Sequence, residues 1–429
     1  MLKRSENGGT VPRTFGTLLR ERFRENRAAV WSVRVLYFLI FVAVFADILA
    51  NDKPLYAHLD GESSFPVFKE IGMEWGLRAS DGAFLNANWH NKEYEAVIWP
   101  LVPYSSTGID FKNGNYRSPF DTQKVSSWRF RHFLGTDQVG RDTAAGMIHG
   151  TRSALLVGLI AMSVATIFGI FFGVLSGWYG DKGFKVSRIR LIMNVLAIVP
   201  AWFYGFSVRA FTLREAESSG VELLWSALIV IGIFVLFNTA SLLLERLPAL
   251  RKKVTVPLDL LIMRLIEVIN SVPVLLLLLA SVAVLSRQSV LTTMVIIGLI
   301  AWTGIARFLR AELLKVKKAN YIEAARAIGL SDRQIIWRHA LPNALTPVLI
   351  TVAFGIAGAV LLESTLSFLG IGAGADEMTW GGILRNARDR FGAWWLAVFP
   401  GTAIFATVTV FNLIGEGLTD APEGRKGGI

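Results

Sequence analysis

From Ala154 to Trp178 the chain runs for twenty-five residues without a charge. About 20 apolar residues suffice to cross the hydrocarbon core of a bilayer as a helix. In hydrocarbon every backbone N–H and C=O must be paired within the protein, which leaves helices and closed barrels as the only spanning forms. Seven other segments qualify or nearly do: Val35–Leu49, Leu191–Val208, Leu223–Leu244, Val268–Leu285, Ser289–Ala306, Ala340–Leu362 and Trp394–Gly415. Hydrophobic residues make up 53% and charged residues 18% of the chain, against about a quarter charged in soluble domains. The expectation is an all-α polytopic membrane protein with about eight transmembrane helices. The first segment is short and carries Asp47, which is expected at the far interface. Its basic flank would suit a signal peptide, but the apolar run starts more than thirty residues in and no A-x-A site follows, so an uncleaved span is expected.

The net charge is +11. In a soluble chain this would suggest nucleic acid. Here the Lys and Arg residues gather in alternate connections, as cytoplasmic loops do. Residues 1–30, 179–190, 245–264 and 307–339 are basic, whereas 209–222 are acidic, 363–393 set three arginines against four acids, and the 286–288 link is tiny. That alternation puts both termini in the cytoplasm and argues against a nucleic-acid partner. Cysteine is absent, which excludes thiol chemistry, iron–sulfur clusters and Cys-ligated zinc.

One connection is long. Residues 51–150 are expected to form a small extracytoplasmic domain of mixed or β-rich structure, with strands at "LYAHLD", "FPVFKE", "AVIWPLVPY" and "TGIDF". No phosphate loop, metal-ligand spacing or nucleophile elbow occurs; "GDKGFKVS" at 180–187 has the wrong spacing for the first. A charge at mid-membrane costs about 2.5–3.5 kcal/mol and usually marks function. Span interiors hold almost none. Glu267 and Glu363 are expected at span edges, facing loops or interface. A carrier coupled to protons or sodium would need such groups at mid-depth.

Against this background "YIEAARAIGLSDRQIIWRHALPNAL" (321–345) is polar where its neighbours are not. Tyr321, Ala324, Ala325 and Ile328 recur at helical spacing, with Glu323 and Arg326 beside them. Gly329 is placed to stop this helix, Ser331 to cap a second, and Leu341-Pro342 to close the second where the chain re-enters the membrane. The face is mainly alanine, which suits a close-fitting protein partner better than lipid headgroups.

The spacing Glu323-Ala324-Ala325, Gly329, Leu341-Pro342 resembles the cytoplasmic loop of ABC importer permeases. "FLGTDQVGRD" (133–142), "GWYGDK" (177–182), "RHALPNA" (338–344), "ESTLSFLGIG" (363–372), "TWGGIL" (379–384) and "FNLIGEGLTDA" (411–421) resemble, in order, landmarks of the dipeptide/oligopeptide/nickel branch. His339 stands where the general motif has Ile, as is usual in the peptide branch. Residues 183–256 depart from the six-span pattern as an inserted pair of spans, which leaves the sidedness of later segments unchanged. Pro200, Trp202 and Tyr204 would also permit the third segment to be re-entrant, and 190–200 faintly echo 260–273.

The resemblance implies a cytoplasmic segment 1–30, a span at 31–50, the outer domain 51–150, a second span within 151–182, the insertion 183–256, a permease core 257–421 with its coupling loop at 311–342, and a tail 422–429. It implies a transport subunit of the bacterial inner membrane and not an enzyme, binding no cofactor itself, with ATP on partner ATPase subunits. A second permease, expected to be a different chain, would complete the pathway, and an extracytoplasmic binding protein would deliver peptides. Tyr321, Glu323, Ala324, Ala325, Arg326, Gly329, Leu341 and Pro342 would couple to the ATPase. Glu323 would touch its surface, and Arg326 would meet an acidic groove edge or stay solvated. Gly135, Asp137, Gly140, Arg141, Asp142 and Trp380, with Trp395, are candidates for an outer gate or binding-protein contact, although turn chemistry alone explains the glycines and aspartates. Nickel or another small solute is the alternative cargo, and a scaffold without transport is the further alternative.

Overall fold

The computed structural model describes residues 23–59, 61–85, 87–215, 219–245, 252–284, 289–372, 374 and 377–423. The first 22 residues, Arg246, Arg251, the 286–288 link and the tail beyond 423 lie outside them. Among the described residues seven helices are long and apolar enough to cross a membrane, and a bent pair makes an eighth candidate. Contacts divide the chain into two compact units. One holds 1–169, 273–305 and 345–429; the other holds 170–272 and 306–344.

The first unit begins with α1 (Arg27–Val44), capped by the side chain of Asn26. A small antiparallel sheet follows, of β1 (Tyr56–Leu59), β2 (Glu62–Ser64) and β3 (Ala96–Ile98) in the order β2-β1-β3. Two of the four expected strands are therefore found. "FPVFKE" instead opens α2 (Pro66–Glu74), with Pro66 at the first helical position where its missing N–H costs nothing. "TGIDF" ends in a single 3-10 turn over Phe111–Asn113, because the Asp110 side chain accepts the Lys112 N–H and holds a cap. The domain is mixed.

Next comes α3 (Thr143–Val174), whose Val157 and Ala161 meet Leu278 of α7 (Val274–Val284), Met294 and Ile297 of α8 (Val290–Val316), and Ala359 and Leu366 of α11 (Leu341–Phe368) in one core. The last two helices of this unit are α12 (Trp380–Asp389) and α13 (Trp395–Glu423). Asp47 receives two N–H groups of Arg152 at 3.1 and 2.7 Å, so the first span's one acid is neutralised by a cation from α3. Glu363, near the end of α11, does not face a loop or interface: it is 2% exposed and accepts from Ser367 Oγ at 2.6 Å. Burial of that carboxyl is tolerated because hydroxyls on its own helix satisfy it. Glu267 is exposed and paired with Arg264.

In the second unit, β4 (Lys185–Ser187) and β5 (Lys253–Thr255) pair antiparallel and bring the two ends of the intervening stretch together. Between them α4 (Arg188–Trp202) packs on α5 (Ser219–Leu244), with Asn194 and Asn238 hydrogen-bonded at 2.7 Å. The third segment is not broken at Pro200, which lies inside α4; a π-turn at Phe203–Ser207 extends the helix. The break falls in the fifth segment, which was expected as one span over 268–285. There α6 (Leu258–Asn270) ends, Ser271–Pro273 interrupts, and α7 starts afresh, forming the bent pair. Pro273 lacks an N–H and disfavours helix at the preceding residue.

Candidate coupling loop and the 135–142 turn

The loop after α8 is built as capping chemistry requires. The helix α9 (Asn320–Ala327) ends at Ile328, and Gly329 takes φ +86°, the left-handed conformation that a Cβ penalises. Its N–H donates to the Arg326 carbonyl, and the Leu330 N–H donates to the Ala325 carbonyl, which closes a Schellman motif. Ser331 then caps α10 (Asp332–Ile335) in a reciprocal box with Gln334.

Which residues face outward is settled by packing. Ile322 and Ala325 are buried, whereas Tyr321, Glu323, Ala324, Arg326 and Ile328 are exposed. Ala325 and Ile328 thus do not share the face that their spacing suggested. The outward apolar surface is Tyr321, Ala324 and Ile328, the last 80% exposed, joined by Trp337 at 63%. Trp337 was missed; the signal was available, as a lone aromatic in a polar stretch. The Arg326 guanidinium is exposed and lies over the Trp178 ring at 5.5 Å. Lys317 donates to the Trp178 carbonyl at 2.6 Å. Burial, and then the nearby Arg326 charge, hold its ammonium below the ordinary lysine range.

Leu341-Pro342 does not close the second helix. A π-turn at Ile336–Ala340, with the Leu341 N–H reaching the Ile336 carbonyl, leads straight into α11. Such a turn shifts the hydrogen-bond register just ahead of a residue that has no N–H to give. Leu341 is buried and Pro342 exposed.

The residues set apart at 135–142 come together as one turn. Gly135 and Gly140 have φ of +76° and +94°, and a Cβ on Gly140 would stand 2.1 Å from the Asp110 carbonyl oxygen. Asp137 Oδ1 accepts the N–H groups of Val139, Gly140 and Arg141 at 2.9–3.0 Å. Burial nevertheless pushes its carboxyl above the usual range. Asp142 Oδ1 caps α3 by accepting the Ala145 N–H, and its Oδ2 contacts His132 Nδ1 at 2.7 Å. The other ring nitrogen of the fully buried His132 faces Asp110 at 3.3 Å, and Tyr104 stacks on the ring. Sequence spacing did not reveal this Asp–His–Asp arrangement.

Trp380 and Trp395 are 2% and 3% exposed. Their indoles donate to the carbonyls of Met147 and Thr136. Both are buried packing residues. The turn residues, Arg141 excepted, are all committed in the same way.

Seven or eight apolar helices and a polar loop with two capped helices among the described residues define a polytopic membrane protein. Residues 249–426 match the profile of the family described as binding-protein-dependent transport system inner membrane component. Residues 14–63 match the N-terminal transmembrane domain of oligopeptide transport permease C. A permease protein of Brucella suis is 30% identical over 295 residues, 68% of this chain and 74% of that one. The inner membrane ABC transporter permease protein YejE of Escherichia coli is 27% identical over 412 residues, 94% and 96% of the two chains. The peptidoglycan transport system permease protein YejE of Agrobacterium fabrum is 25% identical over 431 residues, 95% and 92%. The chain belongs to the inner-membrane permease family of binding-protein-dependent ABC transporters, in its dipeptide/oligopeptide/nickel branch.

Proposed function

We propose that this chain forms half of the pathway of an ATP-driven peptide importer and couples to a separate ATPase through residues 321–342. The observation that carries the reading is the loop itself. It lies within the family match, is held rigid by a Schellman motif and a capping box, and presents Tyr321, Glu323, Ala324, Ile328 and Trp337 outward. Small and flat side chains admit a partner surface closely, and the two caps let a push on α9 reach α11 without being lost in a flexible link. Arg326 serves to fix the loop on Trp178. ATP is bound and hydrolysed on the partner.

Peptide cargo is supported by the oligopeptide permease profile over 14–63. A second, different permease chain and an extracytoplasmic binding protein complete the assembly. Both termini are cytoplasmic in this reading, with 51–150 on the outer side and 183–256 as an added pair of spans. For residues 135–142 with Trp380 we assign a structural role, supporting the start of α3, in place of a gate.

The test is co-purification of the tagged chain from its native membrane in mild detergent, beside Gly329→Val. An ATPase and a second permease should accompany the parent chain, and the ATPase should be lost with the variant. No ATPase in either sample, or full retention by the variant, removes the coupling role from 321–342.

A further inference from the structure

Outside the candidate spans, next to β2, lies a groove of about 530 Å³ lined by Ser64, Phe65, Phe68, Lys69, Arg78 and Phe84. That volume is in the range of small-ligand sites, about 300–1,000 Å³, rather than that of a protein interface. Phe65 and Phe68 are more than half exposed. Phe84 is half-buried and carries the Lys69 ammonium 4.2 Å above its ring. Lys69 also reaches Asp81 at 3.5 Å, so its charge is already matched. Arg78 differs. It is exposed, and its guanidinium has no ion-pair or hydrogen-bond partner among the described residues. Among the described residues no carboxylate lines the groove. Beside it, β2 is an edge strand, paired among the described residues with β1 alone.

An apolar trough with one unmatched cation selects an anion that has an apolar group close to its charge. A guanidinium fork fits a carboxylate in particular, through two parallel N–H bonds. A strand edge adds main-chain hydrogen bonds to any extended chain that lies along it. We infer that this groove binds the free C-terminal carboxylate and last apolar side chain of a short peptide, with Arg78 on the carboxylate and Phe65, Phe68 and Phe84 around the side chain. Peptide as the source of the carboxylate rests on the importer reading; the groove's chemistry does not.

The experiment uses the full chain in nanodiscs of neutral lipid, titrated calorimetrically with the dipeptide Leu-Phe, with its C-terminal amide, and with Leu-Phe against Arg78→Gln. The acid should bind, and both the amide and the variant should weaken binding by about tenfold, the scale of losing charge-assisted hydrogen bonds. The amide arm needs no mutant, so a folding defect cannot imitate the result. Equal binding of acid and amide, unchanged binding by the variant, or no heat with the parent at millimolar dipeptide overturns the inference. A chain that retains its ATPase on co-purification but fails here loses this site alone. One that binds the acid yet brings down no ATPase loses the importer reading instead.

Discussion

At Gly140 the main chain leaves no room for a side chain. A Cβ there would overlap the Asp110 carbonyl, at a φ of +94° that costs about 1–3 kcal/mol for other residues. Gly140→Ala should therefore lower the thermal midpoint of the purified chain in detergent by several degrees; an unchanged midpoint would show that the turn can relax. Gly329 has open space around its Cβ position, so only its φ of +86° is at stake. Gly329→Ala should cost about 1 kcal/mol locally and weaken ATPase co-purification while the global midpoint stays put. Asp110 gives a pH prediction. Burial raises its carboxyl, but the Asn113 amide, His132 and the Lys112 N–H outweigh this, and the net shift is downward from 3.8. A carboxyl with a depressed folded value stabilises above its unfolded value and loses that contribution as pH falls through the folded one. Near-ultraviolet circular dichroism should show a step below about pH 3.8 in the parent chain that Asp110→Asn removes. A step that persists in the variant assigns it to another acid.

At the scale of elements, the Ser331–Gln334 box should be worth about 1 kcal/mol to the first turn of α10. Ser331→Ala should accordingly speed amide exchange in 332–335 by roughly fivefold, with the exchange of α11 unaltered; no change would mean the turn is held by its neighbours. These caps were legible because their chemistry is local: a glycine at a fixed distance from a serine, bracketed by helix formers. The long apolar runs were legible for the same reason. The break in the fifth segment was not, since Pro200 and Pro347 sit inside helices while Pro273 ends one. What separates them is tertiary context, which overrides local preference and which no single run of letters carries. Nor could spacing show that Glu363 turns inward to Ser367, or that Asp110, His132 and Asp142 converge from three segments. The first turn of α2 was readable in principle, from a proline at its first position.

For the whole molecule, β4 and β5 set the ends of the α4–α5 stretch side by side: the Arg188 N–H donates to the Lys252 carbonyl at 2.9 Å. Replacing 189–251 by Asn-Gly, the dipeptide suited to a two-residue hairpin, should give a shorter chain that still inserts and still brings down the ATPase. Loss of membrane insertion would show that the added helices are needed for assembly. Reporter fusions at both ends of the shortened and parent chains should give the same cytoplasmic signal, because an even number of spans is removed. An outside signal at either end would overturn the orientation. The contact between Asn194 and Asn238 has a consequence for the bilayer around this hairpin. Sliding α4 against α5 by one turn would leave the Asn194 amide oxygen without its donor in hydrocarbon, at a cost of several kcal/mol, while Asn238 keeps only the Phe234 carbonyl of its own helix. The pair therefore works as a depth gauge: the two helices rise or sink only as one body, and a thinner membrane must tilt them rather than telescope them.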